Sequence, residues 1–141
     1  MTRIRVAIAG VGNCASALVQ GLEYYRTRSD AEHVGLRHTN LGGYRPSDLE
    51  IVAAFDIDAR KVGTPLEEAV FAAPNCAQVF APKLPTSGVE VQMGPVLDGL
   101  ASHMANYPAS EAIRPSEREP VDVAEVLRTT AAEVLVCYLP V

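Results

Sequence analysis

The chain has 141 residues, 48% of them apolar, enough to fill the core of one domain of ordinary size. Twelve basic against seventeen acidic residues leave a net charge of −5, which argues against a nucleic-acid partner, since that wants a basic face. No apolar run reaches the ~18 residues needed to span a bilayer, residues 1–20 lack a secretory signal, and Cys14, Cys76 and Cys137 have no metal-like spacing, so a reduced, cytoplasmic protein with no membrane partner is expected.

Residues 4–16 organise the rest. Ile4, Val6 and Ile8 alternate with Ala7 and Ala9, a run apolar on both faces that suits a strand covered by helices on both sides. Gly10, Val11 and Gly12 follow at once, and Ala15, Leu18, Val19 and Leu22 then recur at helical spacing. Strand, glycine turn and helix are the opening unit of a dinucleotide-binding fold, read here as G-x-G-x-x-A with Ala15 in the third place. Gly10 allows a tight turn, Gly12 lets backbone approach a pyrophosphate, and Ala15 lets the helix pack on the strand. The helix N-terminus offers N–H groups and partial positive charge to phosphates. The bland alternative is a tight turn that binds nothing.

Residues 24–48 are polar and punctuated, and an insertion of about residues 27–48 is placed between the first helix and the second strand. His33 and His38 lack a third and fourth ligand at matching spacing, so they read as loop histidines and no metal ligand is assigned. Ile51 to Phe55 reads as a second buried strand with Asp56 at its C-terminal end, where a carboxylate can accept from the adenosine ribose hydroxyls. The usual spacing would point to Asp30, which is rejected because no strand precedes it. Asp58 is the second candidate, with a solvated turn residue as its favoured reading. A carboxylate at the ribose repels a 2′-phosphate while the nearby Arg60 and Lys61 could accommodate one; NAD is favoured over NADP.

Thr64, Pro65, Leu66 and Glu67 predict a capping box opening a short helix through about Ala72. Residues 74–88, with three prolines and Gly88, predict loop, and residues 89–93 a third strand. Gly94 and Pro95 predict the start of a helix with Val96, Leu97, Leu100 and Met104 on one face and with Asp98 and His103 in it; Asp98 there suits the helix dipole. Residues 106–119 predict loop. Pro120 predicts the opening of a helix presenting Val123, Val126, Leu127 and Thr130, and residues 134–139 predict a last buried strand. A parallel strand needs a following helix to cover it, and none follows Val141. The expected fold is therefore α/β, a Rossmann-like doubly wound parallel sheet that is incomplete: the N-terminal part of a dinucleotide-binding domain, with the catalytic domain absent.

Several motifs in order resemble one family. Gly10-Val11-Gly12-Asn13-Cys14-Ala15-Ser16-Ala17-Leu18-Val19-Gln20-Gly21 with Glu23-Tyr24-Tyr25 is similar to the opening of the shorter, prokaryotic branch of the myo-inositol-phosphate synthases. Val52-Ala53-Ala54-Phe55-Asp56-Ile57-Asp58 with Lys61-Val62-Gly63, Gly94-Pro95-Val96-Leu97-Asp98-Gly99, Glu119-Pro120-Val121-Asp122-Val123 and Tyr138-Leu139-Pro140-Val141 resemble later segments in the family's order, so the resemblance spans essentially the whole chain.

The resemblance implies an enzyme that isomerises D-glucose 6-phosphate to myo-inositol phosphate. Tightly held NAD would take a hydride from C5; enolisation and aldol closure would follow, and the hydride would return. It also implies lysines of a downstream domain stabilising oxyanions, a cation near the cofactor phosphates in some members, and homotetramers. Carried over by position, Gly10, Val11, Gly12, Asn13 and Cys14 would bind the NAD pyrophosphate, Asp56 the ribose, and Leu139 and Pro140 would lie along the cofactor. Lys61 and Lys83, the only lysines, match none of the catalytic ones, so no catalytic residue is assigned and the chain alone is expected to be inactive. Cys14, at a helix N-terminus, reads as a small polar neighbour of phosphate rather than a nucleophile, because no general base is near it in the pattern. The rival readings are part of another NAD-dependent oxidoreductase, or a non-catalytic nucleotide-binding module.

Overall fold

The structure is a computed structural model that describes residues 3–29, 32 and 34–139. The readings placed on Asp30, His33 and Pro140 lie outside the described residues.

Strand β1 (Ile4–Ala9) leads through the glycine turn into helix α1 (Asn13–Arg26), whose last turn is closed by the Thr27 N–H donating to Glu23 O at 3.2 Å. Strand β2 (Leu49–Asp56) follows, then the single-turn helix α2 (Leu66–Ala69), strand β3 (Val91–Met93), helix α3 (Val123–Thr129) and strand β4 (Val134–Cys137). The described part of residues 27–48 holds an isolated bridge between Leu41 and Tyr44 and a 3-10 turn at Pro46–Asp48. All strand pairs are parallel, in the order β3-β2-β1-β4. Winding thus runs outward from β1 through β2 to β3, then reverses to the other side of β1.

Pairing register turns the strand alternation into two apolar layers. Ile8 pairs with Ala54 and Ala54 with Val91, and these three share one face with Val11, Ala15, Leu66, Ala69 and Val70; Leu18 and Val19 pack on the same cluster. Ala7 pairs with Ala53, and with Phe55 they meet Val121, Val123, Val126 and Leu127 on the opposite face. Helices α1 and α2 therefore cover one side of the sheet and α3 the other. That is the doubly wound arrangement expected for strands apolar on both faces. Alanines on the central strands let the helices sit close.

Four local expectations are corrected. Residues 94–104 form no α-helix. Gly99 N–H donates to Val96 O at 2.9 Å, and Leu97 sits at φ +48° with 80% of its surface exposed, so a turn replaces the first helical turn and only a 3-10 stretch at Ser102–Asn106 follows. Glycine at 99 lowers helix propensity in the middle of the segment. Asp98 accordingly faces no helix dipole.

The Thr64 capping box does not form. The Thr64 hydroxyl donates backwards to Lys61 O at 2.7 Å, and Glu67 accepts from the Ser87 hydroxyl at 2.6 Å instead of reaching the cap. Helix α3 is opened by Asp122, whose carboxylate accepts from Glu125 N–H at 3.0 Å, and not by Pro120. Strand β4 is no buried strand: it pairs only with β1, and Val134 and Leu135 remain 44% and 46% exposed. Its start is nonetheless anchored, since Glu133 N–H donates to Arg5 O at 2.8 Å while the Glu133 carboxylate accepts from Arg5 N–H at 2.9 Å.

Candidate functional site

The winding reverses between β1 and β4, and the carboxyl ends of the strands at such a reversal are where open α/β sheets bind ligands. The glycine turn lies there. Gly10 has φ +92°, a conformation that disfavours any Cβ, and a Cβ built on it would lie 3.2 Å from Leu139 Cδ2 and 3.3 Å from the Tyr138 carbonyl carbon. Gly10 N–H donates to Phe55 O at 2.9 Å and Tyr138 N–H donates to Ala9 O at 2.8 Å. Gly10 is thus the point where β1, β2 and the chain after β4 converge. The structure brings Leu139 against the turn.

Gly12 differs. It is the N-cap of α1 at φ −102°, and a Cβ there would meet nothing within 4 Å. No side chain caps α1, so the first-turn N–H groups lack a side-chain partner. Backbone donors beside a position with no side chain are what a phosphate group requires. These residues therefore fit a dinucleotide's pyrophosphate.

Val11, between the glycines, is wholly buried and held at both polar atoms. Its N–H donates to Asp56 Oδ2 at 2.7 Å, and its carbonyl accepts from Lys61 Nζ at 2.6 Å. Asp56 Oδ1 accepts from the N–H groups of Ile57 and Asp58, both at 2.8 Å. The carboxylate sits at the end of β2 as expected; Oδ1 already takes two N–H groups, and Oδ2, with one, keeps a lone pair for a hydroxyl donor.

Asn13 and Cys14 open α1. The Asn13 side chain clasps the next loop: its Oδ1 accepts from Cys76 N–H at 2.8 Å and its Nδ2 donates to Cys76 Sγ at 3.1 Å. What Asn13 presents to an anion is its backbone. Deeper in, the fully buried Gln20 accepts from the N–H groups of Phe80 and Ala81 at 2.8 and 3.0 Å, pinning that loop along α1. Cys14 is an exposed free thiol, and burial, with the charge of Cys14 second, raises the Tyr138 pKa.

Asp58 is no solvated turn residue. It is 1% exposed and accepts from Arg60 Nη2 at 2.6 Å, Arg60 Nε at 2.8 Å and Arg114 N–H at 3.0 Å. Residues 109–116 fold back over it, with the Arg60 guanidinium also donating to Ala109 O and Ala112 O. Burial alone would raise the Asp58 pKa, but the hydrogen bonds from Arg60 and Arg114, with the Arg60 charge, outweigh it and hold the carboxyl below its ordinary value. Arg60 and Lys61, read from sequence as cations within reach of a 2′-phosphate, are both committed to protein acceptors.

Lys61 and Cys76 were missed as members of this site. Neither lies on a periodic pattern, and from the sequence Lys61 reads only as a cation that could accommodate a 2′-phosphate. Among the described residues no group of three or more His, Cys, Asp or Glu is placed to hold a metal ion. No described helix is long and apolar enough to cross a membrane.

No protein-family model matches the chain. Sequence relatives decide the family. The chain is 52% identical over 139 residues to inositol-3-phosphate synthase of Corynebacterium glutamicum, covering 98% of the chain. It is 50% identical over 139 residues to that of Mycolicibacterium smegmatis, and 49% identical over 141 residues to that of Mycobacterium tuberculosis. The chain belongs to the inositol-3-phosphate synthase family. It spans 37% of the length of these relatives. Among solved structures, the crystal structure of Ari2 matches with a TM-score of 0.73 at 40% identity, covering 98% of this chain and 38% of that one. A myo-inositol-1-phosphate synthase-related protein from Thermotoga maritima matches with a TM-score of 0.67 at 22% identity, covering 97% and 34%, and supports the fold. The synthase family thus accounts for the order of motifs from the glycine turn to Tyr138.

Proposed function

We propose that the chain is the NAD-binding portion of an inositol-3-phosphate synthase, the whole enzyme isomerising D-glucose 6-phosphate to 1D-myo-inositol 3-phosphate. The observation that carries the cofactor reading is the glycine turn at the sheet's reversal point, locked to the Asp56 carboxylate at the end of the neighbouring strand. Family membership supports the reaction.

The residues have separable jobs under this reading. Gly12, Asn13 and Cys14 offer backbone N–H groups to the pyrophosphate, in the field of a 14-residue helix. Asp56 accepts from an adenosine ribose hydroxyl with the lone pair left on Oδ2. Leu139 gives an apolar wall beside Gly10. With Arg60 engaged by Asp58 and two carbonyls, that guanidinium is not free to take a 2′-phosphate, which supports NAD over NADP. When bound, NAD supplies a reversible hydride acceptor, so the sugar is oxidised and reduced again without net redox change.

The test is conversion of D-glucose 6-phosphate to inositol phosphate by this chain and by the protein carried on along its reading frame to the length of its relatives. Activity in the longer protein alone, without accumulation of NADH, is expected. A folded, NAD-loaded longer protein that makes no inositol phosphate, or that accumulates NADH in step with sugar consumed, would return the assignment to a dehydrogenase.

A further inference from the structure

Lys61 is the one residue of the site whose chemistry the family reading leaves unused. It is 2% exposed, which is rare for a lysine and costly for an ammonium. Its Nζ donates to Val11 O at 2.6 Å and to Pro74 O at 3.3 Å. Burial depresses its pKa; the carboxylates of Asp56 and Asp58 oppose that depression and the Arg60 guanidinium adds to it. These are the charged groups that act on it.

The acceptor it chooses matters. The Val11 carbonyl belongs to the same peptide unit as the Gly12 N–H, and in a trans peptide those two bonds point in opposite directions. Holding Val11 O toward the buried ammonium therefore turns the Gly12 N–H away from Lys61. Asp56 holds the other end of Val11 through its N–H, so the residue cannot rotate to relieve either bond. A hydrogen bond from a cation also polarises the peptide, which makes its N–H a stronger donor.

Resting on the cofactor reading above, we propose that Lys61 is a positioning residue for the cofactor pyrophosphate: it fixes the Val11–Gly12 peptide so that its N–H faces the anion, and sets a buried positive charge one peptide unit behind that donor. The buried lysine stands beneath the turn as the counterpart of the helix N-terminus beside it. A merely structural lysine, tying residue 74 to the turn, would be indifferent to whether a ligand carries phosphates.

That difference is measurable. Lys61→Met in this chain, titrated with NAD, ADP and adenosine by amide-shift NMR, should weaken NAD and ADP about tenfold while leaving adenosine within about twofold, because only the first two carry the diphosphate. Equal weakening of all three, or no weakening of ADP, overturns the proposal. Wild-type chain that binds none of the three overturns the cofactor reading itself; wild-type binding with an unaffected variant overturns only the role of Lys61. A measurement on the unaltered protein covers the case in which the variant fails to fold. The Lys61 side-chain nitrogen is followed by NMR against pH, with and without saturating ligand. ADP should raise its titration midpoint and adenosine should not; a midpoint that ADP leaves unmoved contradicts the proposal.

Discussion

The Val11 N–H donates to Asp56 Oδ2 at 2.7 Å, so the side chain at the end of β2 that would read the ribose is also a strut of the turn that would hold the phosphates. Recognition of two parts of one dinucleotide would thereby be mechanically joined. Asp56→Ala should weaken NAD at least about tenfold, and should cost about 1–3 kcal/mol of stability because the Val11 N–H loses its buried partner. NADP should weaken less, since the repulsion against its 2′-phosphate disappears with the carboxylate. Equal losses for the two cofactors would remove Asp56 from the ribose.

The two glycines of the turn should separate folding from binding. Gly10→Ala places a Cβ at positive φ against Leu139 and the Tyr138 backbone, and should destabilise by about 2 kcal/mol or more. Gly12→Ala meets nothing in the protein and should cost only about 1 kcal/mol, the preference of an N-cap for glycine over alanine. Its methyl group would nonetheless occupy the side where a pyrophosphate approaches, so NAD and ADP affinity should fall in Gly12→Ala more than stability does. Thermal melts and titrations on both variants test this contrast, and a Gly12→Ala chain that binds NAD as wild type does would contradict it.

Asp58 predicts a pH dependence of stability. Its folded pKa lies below its ordinary value of 3.8, so the stabilisation it gives is complete above that value and is lost as pH falls through the folded pKa. Asp58→Asn should be about 3 kcal/mol less stable than wild type at pH 7, because a well-partnered buried carboxylate is replaced and Arg60 loses its counter-charge. The gap should narrow as the medium is taken from pH 5 to below about pH 3, where wild-type Asp58 is also being protonated. Denaturant unfolding at several pH values measures it; a gap that does not change with pH would show that the carboxylate's charge is not what stabilises the fold.

These features were unequally visible in the sequence. The β1–turn–α1 unit was legible because its signal is local: apolar alternation, two glycines, and a helical stripe that starts at Ala15, which is in the core. Asp56 was legible because a strand ends on it. The helix predicted at 94–104 failed although its apolar spacing is right: periodicity reports only capacity for burial, and Leu97 and Leu100 stay exposed. Asp58 and Lys61 were misjudged for the converse reason. Each is buried by segments distant in sequence, residues 109–116 in one case and the 74 region with the glycine turn in the other. Charged residues next to one another read as surface until the chain that covers them is known.

Strand β4 carries a prediction about association. Val134 and Leu135 are exposed on a strand paired along only one edge, and an unpaired apolar edge is a template for another strand. This chain should self-associate with rising concentration, and Leu135→Lys should reduce that association without lowering the melting temperature by more than a few degrees. Light scattering against concentration tests it; wild-type chain that stays monomeric and melts cooperatively at high concentration would contradict it.

The most direct test of the central claim is a titration of ¹⁵N-labelled chain with NAD, followed by backbone amide shifts. The account predicts saturable shifts largest at Gly10, Val11, Gly12, Asn13, Cys14 and Asp56, with smaller changes at Leu139. Saturable binding whose shifts fall elsewhere, or no binding by a folded chain, would contradict the assignment of this turn as a dinucleotide site.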